Sequence, residues 1–180
     1  MKGQVMNGSI QVYYGEGRGK TTAALGLGIR AAGMGKQVIM VQFLKCRHSD
    51  TLDFLRKLEP ELQIFRFAKA ACSYSDMDEA ERQEQLSNIR MALGYTRKVL
   101  DTGQCDLLIL DEIFGLIDYN IITIEDLMDL LSARDEATDL ILTGRNLPEE
   151  LRDIADCIYY IHTDKQESGE ILRQAESEQI

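Results

Sequence analysis

The stretch YYGEGRGKTT, at residues 13–22, combines residue types whose spacing suits the binding of a polyphosphate. Glycines at positions 15, 17 and 19 let the backbone curl so that successive N–H groups can surround phosphate oxygens. The loop follows an apolar run, SIQVYY, and opens into a helical segment, TTAALGLGIRAAG, whose N-terminus favours negative charge. The pattern therefore predicts a phosphate-binding loop.

The side chains of this loop strengthen the prediction. Lys20 supplies a positive charge for the phosphates, Thr21 supplies a hydroxyl for Mg²⁺, and Arg18 adds a second cation. We expect Glu16 to face solvent, although it belongs to the loop. The candidate nucleotide-binding residues of this segment are Gly15, Glu16, Gly17, Arg18, Gly19, Lys20, Thr21 and Thr22.

The spacing differs by one residue from the common phosphate-binding pattern G-x-x-x-x-G-K-[ST]. Counted back from Gly19, that pattern requires a glycine where this chain has Tyr14, and Gly15 gives the shorter G-x-G-x-G-K-T. A glycine-rich turn that arises by chance is the alternative interpretation. The strand before the loop and the helix after it favour phosphate binding.

The segment LLILDE, at residues 107–112, predicts the other half of the site. Its four apolar residues are typical of a buried strand, and Asp111 and Glu112 follow at the carboxyl end, the edge at which open α/β sheets bind ligands. One carboxylate can hold Mg²⁺ while the other orders a water molecule or a second ligand. Alone, the acidic pair could also mark a helix N-terminus. Together with the glycine loop, it indicates a site for a nucleoside triphosphate with magnesium.

Short apolar runs alternate with helical stretches along most of the chain. We expect buried strands at 10–14, 38–43, 62–67, 106–112, 140–144 and 157–162. We expect helices at 20–32, from about Ser75 to Leu100, and over TIEDLMDLLSAR, where Thr123 and Asp126 form a capping box. Pro148 is placed in the first turn of a further helix, LPEELRDIA.

This alternation predicts the fold class. Strands separated by helices indicate an α/β fold, with a mostly parallel sheet covered by helices on both faces. The length of 180 residues suits one domain rather than two. We expect a P-loop nucleotide-binding α/β domain at 1–162 and a polar C-terminal tail at 163–180.

Composition and charge exclude several classes of function. Thirty acidic and twenty basic residues give a net charge of −10, which argues against sequence-independent binding of nucleic acid. No run approaches eighteen apolar residues and the first residues have no apolar signal region, so we expect a cytoplasmic protein without a membrane partner.

The cysteines and histidines lack the spacing of a zinc site. We expect reduced thiols that are mostly buried or half-buried, and we interpret His162 as structural. These residues are Cys46, Cys72, Cys105, Cys157, His48 and His162.

Four segments together resemble the P-loop type of ATP:corrinoid adenosyltransferases. They are GSIQVYYGEGRGKTTAALGLGIRAAGMGKQVIMVQFLK, LLILDEI, ITIEDLMDLLSAR and LTGRNLPEELRDIAD, and they cover roughly residues 9–158 in order. The resemblance implies a RecA-like P-loop domain, typically a homodimer, that acts in cobalamin synthesis or salvage. It implies that cobalt(I) of a reduced corrinoid (cobalamin) attacks the 5′ carbon of ATP and expels tripolyphosphate, with ATP reversed in the loop relative to kinases.

The resemblance also implies roles for particular residues. Residues 17–22 would cradle the triphosphate, with Lys20, Arg18 and Glu112 as the catalytic residues. Thr21 and Glu112 would hold Mg²⁺, with Asp111 nearby. Arg145, in the segment TGR, would face the nucleotide or form a salt bridge at a helix entry. No general base is required, because cobalt(I) is itself the nucleophile.

The chain departs from the family pattern in the half that would receive the corrinoid. Where the family has an aromatic GFTW segment, this chain has ACSYSDMDEAER, in which Tyr74 either replaces the tryptophan as a corrinoid contact or packs at a helix start. After Asp156 the ending differs as well, and His162 as a lower cobalt ligand is the minor alternative to its structural role. Two other functions stay open at this point: an ATP-binding regulator without alkylation activity, and a small-molecule kinase.

Overall fold

A parallel sheet forms the centre of the molecule. The computed structural model of the protein describes residues 8–44, 55–67, 74 and 77–165. Within these ranges the sheet has six strands, which pair in the order β3-β2-β4-β5-β1-β6, every pair parallel. The strands are β1 (Ile10–Tyr14), β2 (Val38–Gln42), β3 (Leu62–Arg66), β4 (Leu107–Asp111), β5 (Asp139–Gly144) and β6 (Cys157–Tyr160).

Two of the α-helices begin at a capping box. In the described ranges the α-helices are α1 (Lys20–Gly33), α2 (Glu79–Thr102), α3 (Ile113–Asp118) and α4 (Ile124–Ser132), and 3-10 helices occupy Arg56–Leu58 and Glu149–Arg152. The predicted capping box of Thr123 and Asp126 is confirmed at the start of α4. A second box, Asp78 with Glu81, starts α2, and Gly103 ends it in the left-handed conformation.

Helices cover both faces of the sheet, as the alternation of elements predicts. On one face, Ala24 of α1 packs with Met40 and Ile109. On the other face, α2, α3 and α4 contribute apolar side chains to a larger cluster with Val41 and Leu108. Because both faces are buried, the central strands are apolar throughout, which is typical of parallel sheets. The expected α/β fold is therefore confirmed.

The strand order brings the two halves of the site together. The chain passes from β1 to β2, three positions away in the sheet, so α1 crosses the two intervening strands and contacts both β5 and β4. The N-terminus of α1 consequently lies above the carboxyl end of β4. The phosphate loop and the acidic pair can meet although β5 separates their strands.

Some local expectations were wrong. β6 is an edge strand, and Tyr159 (44%) and Tyr160 (59%) are exposed rather than buried. Cys157, on the same strand, is an exposed free cysteine. Pro148 precedes its helix, which is a short 3-10 helix instead of an α-helix. Helix α3 is absent from the sequence prediction altogether.

Other expectations lie outside the described residues. They include the helix start at Ser75, Cys46, Cys72, His48 and the part of the tail from 166 onward. Within the described ranges, none of the helices has the length and apolar composition needed to cross a bilayer.

Candidate nucleotide site

The phosphate loop runs between the ends of three strands and α1. Gly15 and Gly19 have φ of +121° and +112°, values that favour glycine. A Cβ on Gly15 would lie 2.3 Å from the carbonyl oxygen of Ile161, and one on Gly17 would lie 2.7 Å from Cα of His162. Glycine is therefore required at 15 and 17 because the segment after β6 packs directly against the loop.

Two backbone N–H groups of the loop do not point inward toward the expected phosphate position. The N–H of Gly15 donates to the carbonyl of Arg145, and the N–H of Gly17 donates to the carbonyl of Ile161, each over 3.0 Å. These carbonyls follow the ends of β5 and β6, where they need partners beyond the strand ladder. The two glycines thus anchor the loop to the sheet.

The ammonium group of Lys20 lies within the loop. Its Nζ donates to the carbonyl oxygen of Gly15 at 2.6 Å and to that of Gly17 at 2.8 Å. Both contacts hold the positive charge at the centre of the curled backbone, beside the first turn of α1. A helix N-terminus and a lysine at one point make a strong site for a phosphate group.

Asp111 is the buried centre of the site, with none of its surface exposed. Its Oδ1 accepts hydrogen bonds from the hydroxyls of Thr21 (2.9 Å) and Thr143 (2.8 Å). Its Oδ2 accepts one from Nε2 of Gln42 at 2.9 Å and is 3.1 Å from the Thr21 hydroxyl. Strands β2 and β5 and helix α1 therefore all hold this one carboxylate.

Glu112 turns the chain sharply from β4 into α3. It has φ of +61° and ψ of 28°, the left-handed conformation, which is costly for a residue with a Cβ. Its N–H donates to the Thr143 hydroxyl at 2.9 Å, which stabilises the turn. As a result, Asp111 is buried under the loop while Glu112, the next residue, lines an open cavity.

The donor set at this point fits Mg²⁺. No group of three or more His, Cys, Asp or Glu side chains in the described part of the chain could hold a metal by itself. Mg²⁺ does not need such a cage, because it keeps several waters and binds through one or two carboxylates together with substrate phosphates. Thr21, Asp111 and Glu112 supply the hydroxyl and carboxylate oxygens that this hard cation prefers.

A cavity of about 400 Å³ opens beside Glu112. The rings of Tyr74 and Tyr119 meet there with centroids 4.9 Å apart, and Asn146 donates to Asp118 at 2.9 Å. The cavity thus combines an aromatic wall with polar groups. Its lining residues are Leu44, Tyr74, Glu112, Gly115, Asp118, Tyr119, Arg145 and Asn146.

Arg145 and Glu16 form an exposed ion pair across the mouth of the site. The hydrogen bond from Arg145 holds the pKa of the Glu16 carboxyl below its usual value of 4.5. The pair is therefore present at neutral pH and is lost as the pH falls through the lowered pKa. The salt bridge expected of Arg145 goes to the phosphate loop instead of to a helix entry.

The structure brings together the main residues that the sequence singles out. Thr21 bonds to Asp111, Lys20 lies within the loop, and Glu112 follows Asp111 and lines the cavity. Arg18 and Thr22 are exposed. His162 is exposed, and its ring stacks on Tyr160 with centroids 5.7 Å apart.

Sequence reasoning missed Gln42, Arg66 and Thr143. Each is a polar residue at or next to the carboxyl end of an apolar strand, the same signal that identified Asp111. A systematic reading of the last residues of each strand would have found them.

Comparisons with known proteins agree with this geometry. The model of a family described as ATP:corrinoid adenosyltransferase BtuR/CobO/CobP matches residues 6–175. The corrinoid adenosyltransferase of Escherichia coli strain K12 is 30% identical over 151 residues, which cover 84% of this chain and 74% of that protein. The corrinoid adenosyltransferase CobA of Salmonella typhimurium strain LT2 is 31% identical over 156 residues, which cover 86% of this chain and 76% of that protein.

Solved structures support the fold. A KaiC-like protein of the archaeon Pyrococcus horikoshii matches with a TM-score of 0.58 and 19% identity, and the match covers 89% of this chain and 75% of that one. At this identity the likeness shows a common fold alone. That fold is consistent with the RecA-like P-loop domain that the family resemblance implies.

Proposed function

The chain belongs to the ATP:corrinoid adenosyltransferase family, and we propose that its phosphate loop holds the triphosphate of ATP while the cavity beside Glu112 receives the corrinoid. Membership makes the protein an enzyme of cobalamin biosynthesis that transfers the adenosyl group of ATP to a corrinoid. The main support for placing ATP at the loop and the corrinoid in the cavity is the Thr21–Asp111 hydrogen bond. It joins the loop to the strand that leads into the cavity.

The proposed reaction is a displacement at the 5′ carbon of ATP. The electron pair of a reduced corrinoid cobalt(I) forms the cobalt–carbon bond, and the bond between C5′ and the phosphate oxygen breaks. The oxygen leaves with its electron pair as tripolyphosphate, and the cobalt becomes formally cobalt(III). No proton needs to be removed from the nucleophile, so the site needs no general base.

The protein's contribution is then to stabilise the leaving group. Charge develops on the departing phosphate oxygen, and preorganised positive groups are most effective at that point. Lys20, fixed by two loop carbonyls, lies at the loop's centre, and the first-turn N–H groups of α1 add the helix dipole. Arg18 and Thr22, exposed at the start of the same helix, extend the contact along the triphosphate in this proposal.

Magnesium has a defined place in the proposal. Thr21 and Glu112 would contact the ion, with Asp111 holding the Thr21 hydroxyl from behind. When bound, Mg²⁺ neutralises phosphate charge and so makes tripolyphosphate a better leaving group.

The cavity provides the surface for the second substrate. Its aromatic wall, formed by Tyr74 and Tyr119, suits a flat and largely apolar macrocycle. Tyr74 would take over the contact that the family assigns to a tryptophan. Arg145 lies at the mouth, between this cavity and the loop, where it would face the nucleotide.

We also propose that the protein is a homodimer and acts in the cytoplasm, where ATP is available. The first follows from the family resemblance. Sedimentation of the purified protein would test the first.

The decisive experiment combines the protein with MgATP and a chemically reduced corrinoid without oxygen. We expect equal amounts of adenosylcorrinoid, followed by absorbance, and tripolyphosphate, followed by anion chromatography. Lys20→Ala should reduce the rate by roughly 100-fold or more. Lys98→Ala, which removes an exposed lysine from α2, is the matched control and should retain the full rate. Formation of ADP and phosphate would contradict the proposed reaction, and activity in the Lys20 variant would contradict the role of the loop.

A further inference from the structure

Four strands end in one row of polar side chains on the face of the sheet that α1 covers. In the strand register, Gln42 pairs with Arg66 of β3 on one side and with Asp111 of β4 on the other. Thr143 of β5 lies beyond Asp111 and bonds to it at 2.8 Å. The row therefore begins at the edge strand β3 and ends under the phosphate loop.

The hydrogen bonds along this row are continuous. Nε of Arg66 donates to Oε1 of Gln42 at 2.6 Å, and Nε2 of Gln42 donates to Oδ2 of Asp111 at 2.9 Å. Gln42 is 3% exposed, so neither bond is easily exchanged for one to water. A side chain on the outermost strand is thereby linked to the carboxylate at the centre of the site.

The chemistry of the three groups fixes which atoms donate and which accept along the row. A guanidinium can only donate, so the amide oxygen of Gln42 must face Arg66. The amide NH₂ must then face Asp111, as a carboxylate requires. Without Arg66 the buried amide oxygen would lose this donor, and the amide would be held from the Asp111 side alone. Arg66 therefore anchors Gln42 in the orientation that Asp111 requires.

Asp111 in turn determines how the Thr21 hydroxyl is oriented. That hydroxyl has one proton, which it donates to Asp111, so its lone pairs are directed elsewhere. Lone pairs are what a cation or the waters around it require. The orientation holds only while Asp111 keeps its position, which Gln42 and Thr143 fix.

We propose that Gln42 and Arg66 are positioning residues for the metal end of the nucleotide site, acting in series through Asp111 on the Thr21 hydroxyl. The inference deepens the proposed function, since it rests on Thr21 and Asp111 serving a Mg²⁺–triphosphate complex. In this proposal both residues act through the row rather than by contact with the substrate. If Gln42 had a structural role alone, its buried amide would still need hydrogen-bond partners, but its loss would not affect magnesium-dependent binding in particular.

The test compares the binding of MgATP with that of metal-free ATP. Gln42→Leu removes the amide at nearly constant volume, and Arg66→Met removes the guanidinium from the half-buried edge position. Titration calorimetry with ATP, once with MgCl₂ and once with EDTA, gives the two affinities. We expect Gln42→Leu to weaken MgATP binding about tenfold, with metal-free ATP affected less than about twofold. Arg66→Met should also weaken MgATP binding more than the binding of metal-free ATP, but by a smaller factor than Gln42→Leu.

Two controls separate positioning from general destabilisation. Thr96→Val removes another buried hydrogen bond, from Thr96 to the carbonyl of Ala92 in α2, and should leave both affinities unchanged. The double variant of Gln42 and Arg66 should bind MgATP no more weakly than Gln42→Leu alone, because residues in series are not additive.

Equal loss for MgATP and metal-free ATP, no loss in a folded variant, or additive effects in the double variant would overturn the proposal. If Gln42→Leu does not fold, Arg66→Met decides by the same comparison. Failure of the wild-type protein to form adenosylcorrinoid would refute the proposed reaction, whereas a magnesium-specific effect of Gln42 on ATP binding would still support the row.

Discussion

The hydroxyl of Thr21 lies 2.9 Å from Oδ1 of Asp111, and this contact joins the phosphate loop to a strand that is not its neighbour. Strand β5 separates β1 from β4, so the contact exists only because α1 crosses the sheet at this point. The carboxyl end of β4 is thereby placed beside the phosphate loop instead of two strands away.

Thr21→Val should lower the rate of adenosylcorrinoid formation roughly 100-fold. Valine has nearly the same shape as threonine, but it removes the oxygen proposed for Mg²⁺ and leaves Asp111 without one donor. Thr21→Ser keeps the hydroxyl and is the matched control, which should remain within a few-fold of wild type. Initial rates measured over a range of MgCl₂ concentrations check both variants. Equal rates for valine and serine would show that the hydroxyl has no role.

Glu16→Gln should strengthen MgATP binding by about two- to fivefold, the range expected for one exposed ion pair. In the proposed site Glu16 would compete with the triphosphate for Arg145, so removing its charge would release the guanidinium for the nucleotide. Arg145→Ala should weaken binding for the same reason. Titration with ATP at low ionic strength measures both effects, since salt screens exposed charges.

The control for Glu16→Gln must remove the same charge elsewhere. Asp129 pairs with Arg97 between α2 and α4, and both side chains are exposed, at 67% and 46%. Asp129→Asn therefore changes the net charge equally and should leave the affinity for MgATP as it is. An equal gain in both variants would mean that net charge, rather than the ion pair with Arg145, governs binding.

The parts of the fold that depend on local pattern could be predicted from the sequence. Apolar runs bounded by glycine or polar residues identified the strands, and Thr123 with Asp126 identified the start of α4 because a capping box is complete within four residues. The phosphate loop could be recognised for the same reason, since it is contiguous.

Features that depend on distant pairing could not be predicted in this way. The run at 157–162 was expected to be a buried strand, but β6 is at the edge of the sheet and exposes Tyr160. Helix α3 starts from Glu112 in a left-handed conformation, without a side-chain cap that a sequence pattern could reveal. The contact of Gln42 with Asp111 requires β2 beside β4, which the sequence order does not state.

Gly17→Ala and Gly26→Ala should have opposite effects on stability. A Cβ on Gly17 would lie 2.7 Å from the backbone of His162, which cannot move easily, so we expect destabilisation by about 1–3 kcal/mol. Gly26 is an exposed position in α1 with no atom within 4 Å of its added Cβ, and alanine there should stabilise the helix by about 0.5–1 kcal/mol. Thermal unfolding of the two variants measures both changes. A shift in the same direction would contradict the packing of the loop against the segment after β6.

Cys105 should make the protein less stable as the pH rises above 9. Burial raises the pKa of its thiol from 9.0 to about 12, so between these values the folded state keeps a proton that the unfolded chain loses. Unfolding then becomes easier by up to about 1.4 kcal/mol per pH unit for this group. Urea unfolding at several pH values should show a smaller slope for Cys105→Ala than for the wild-type protein. In the native protein, iodoacetamide should modify Cys157 and spare Cys105, and rapid modification of Cys105 would contradict its burial.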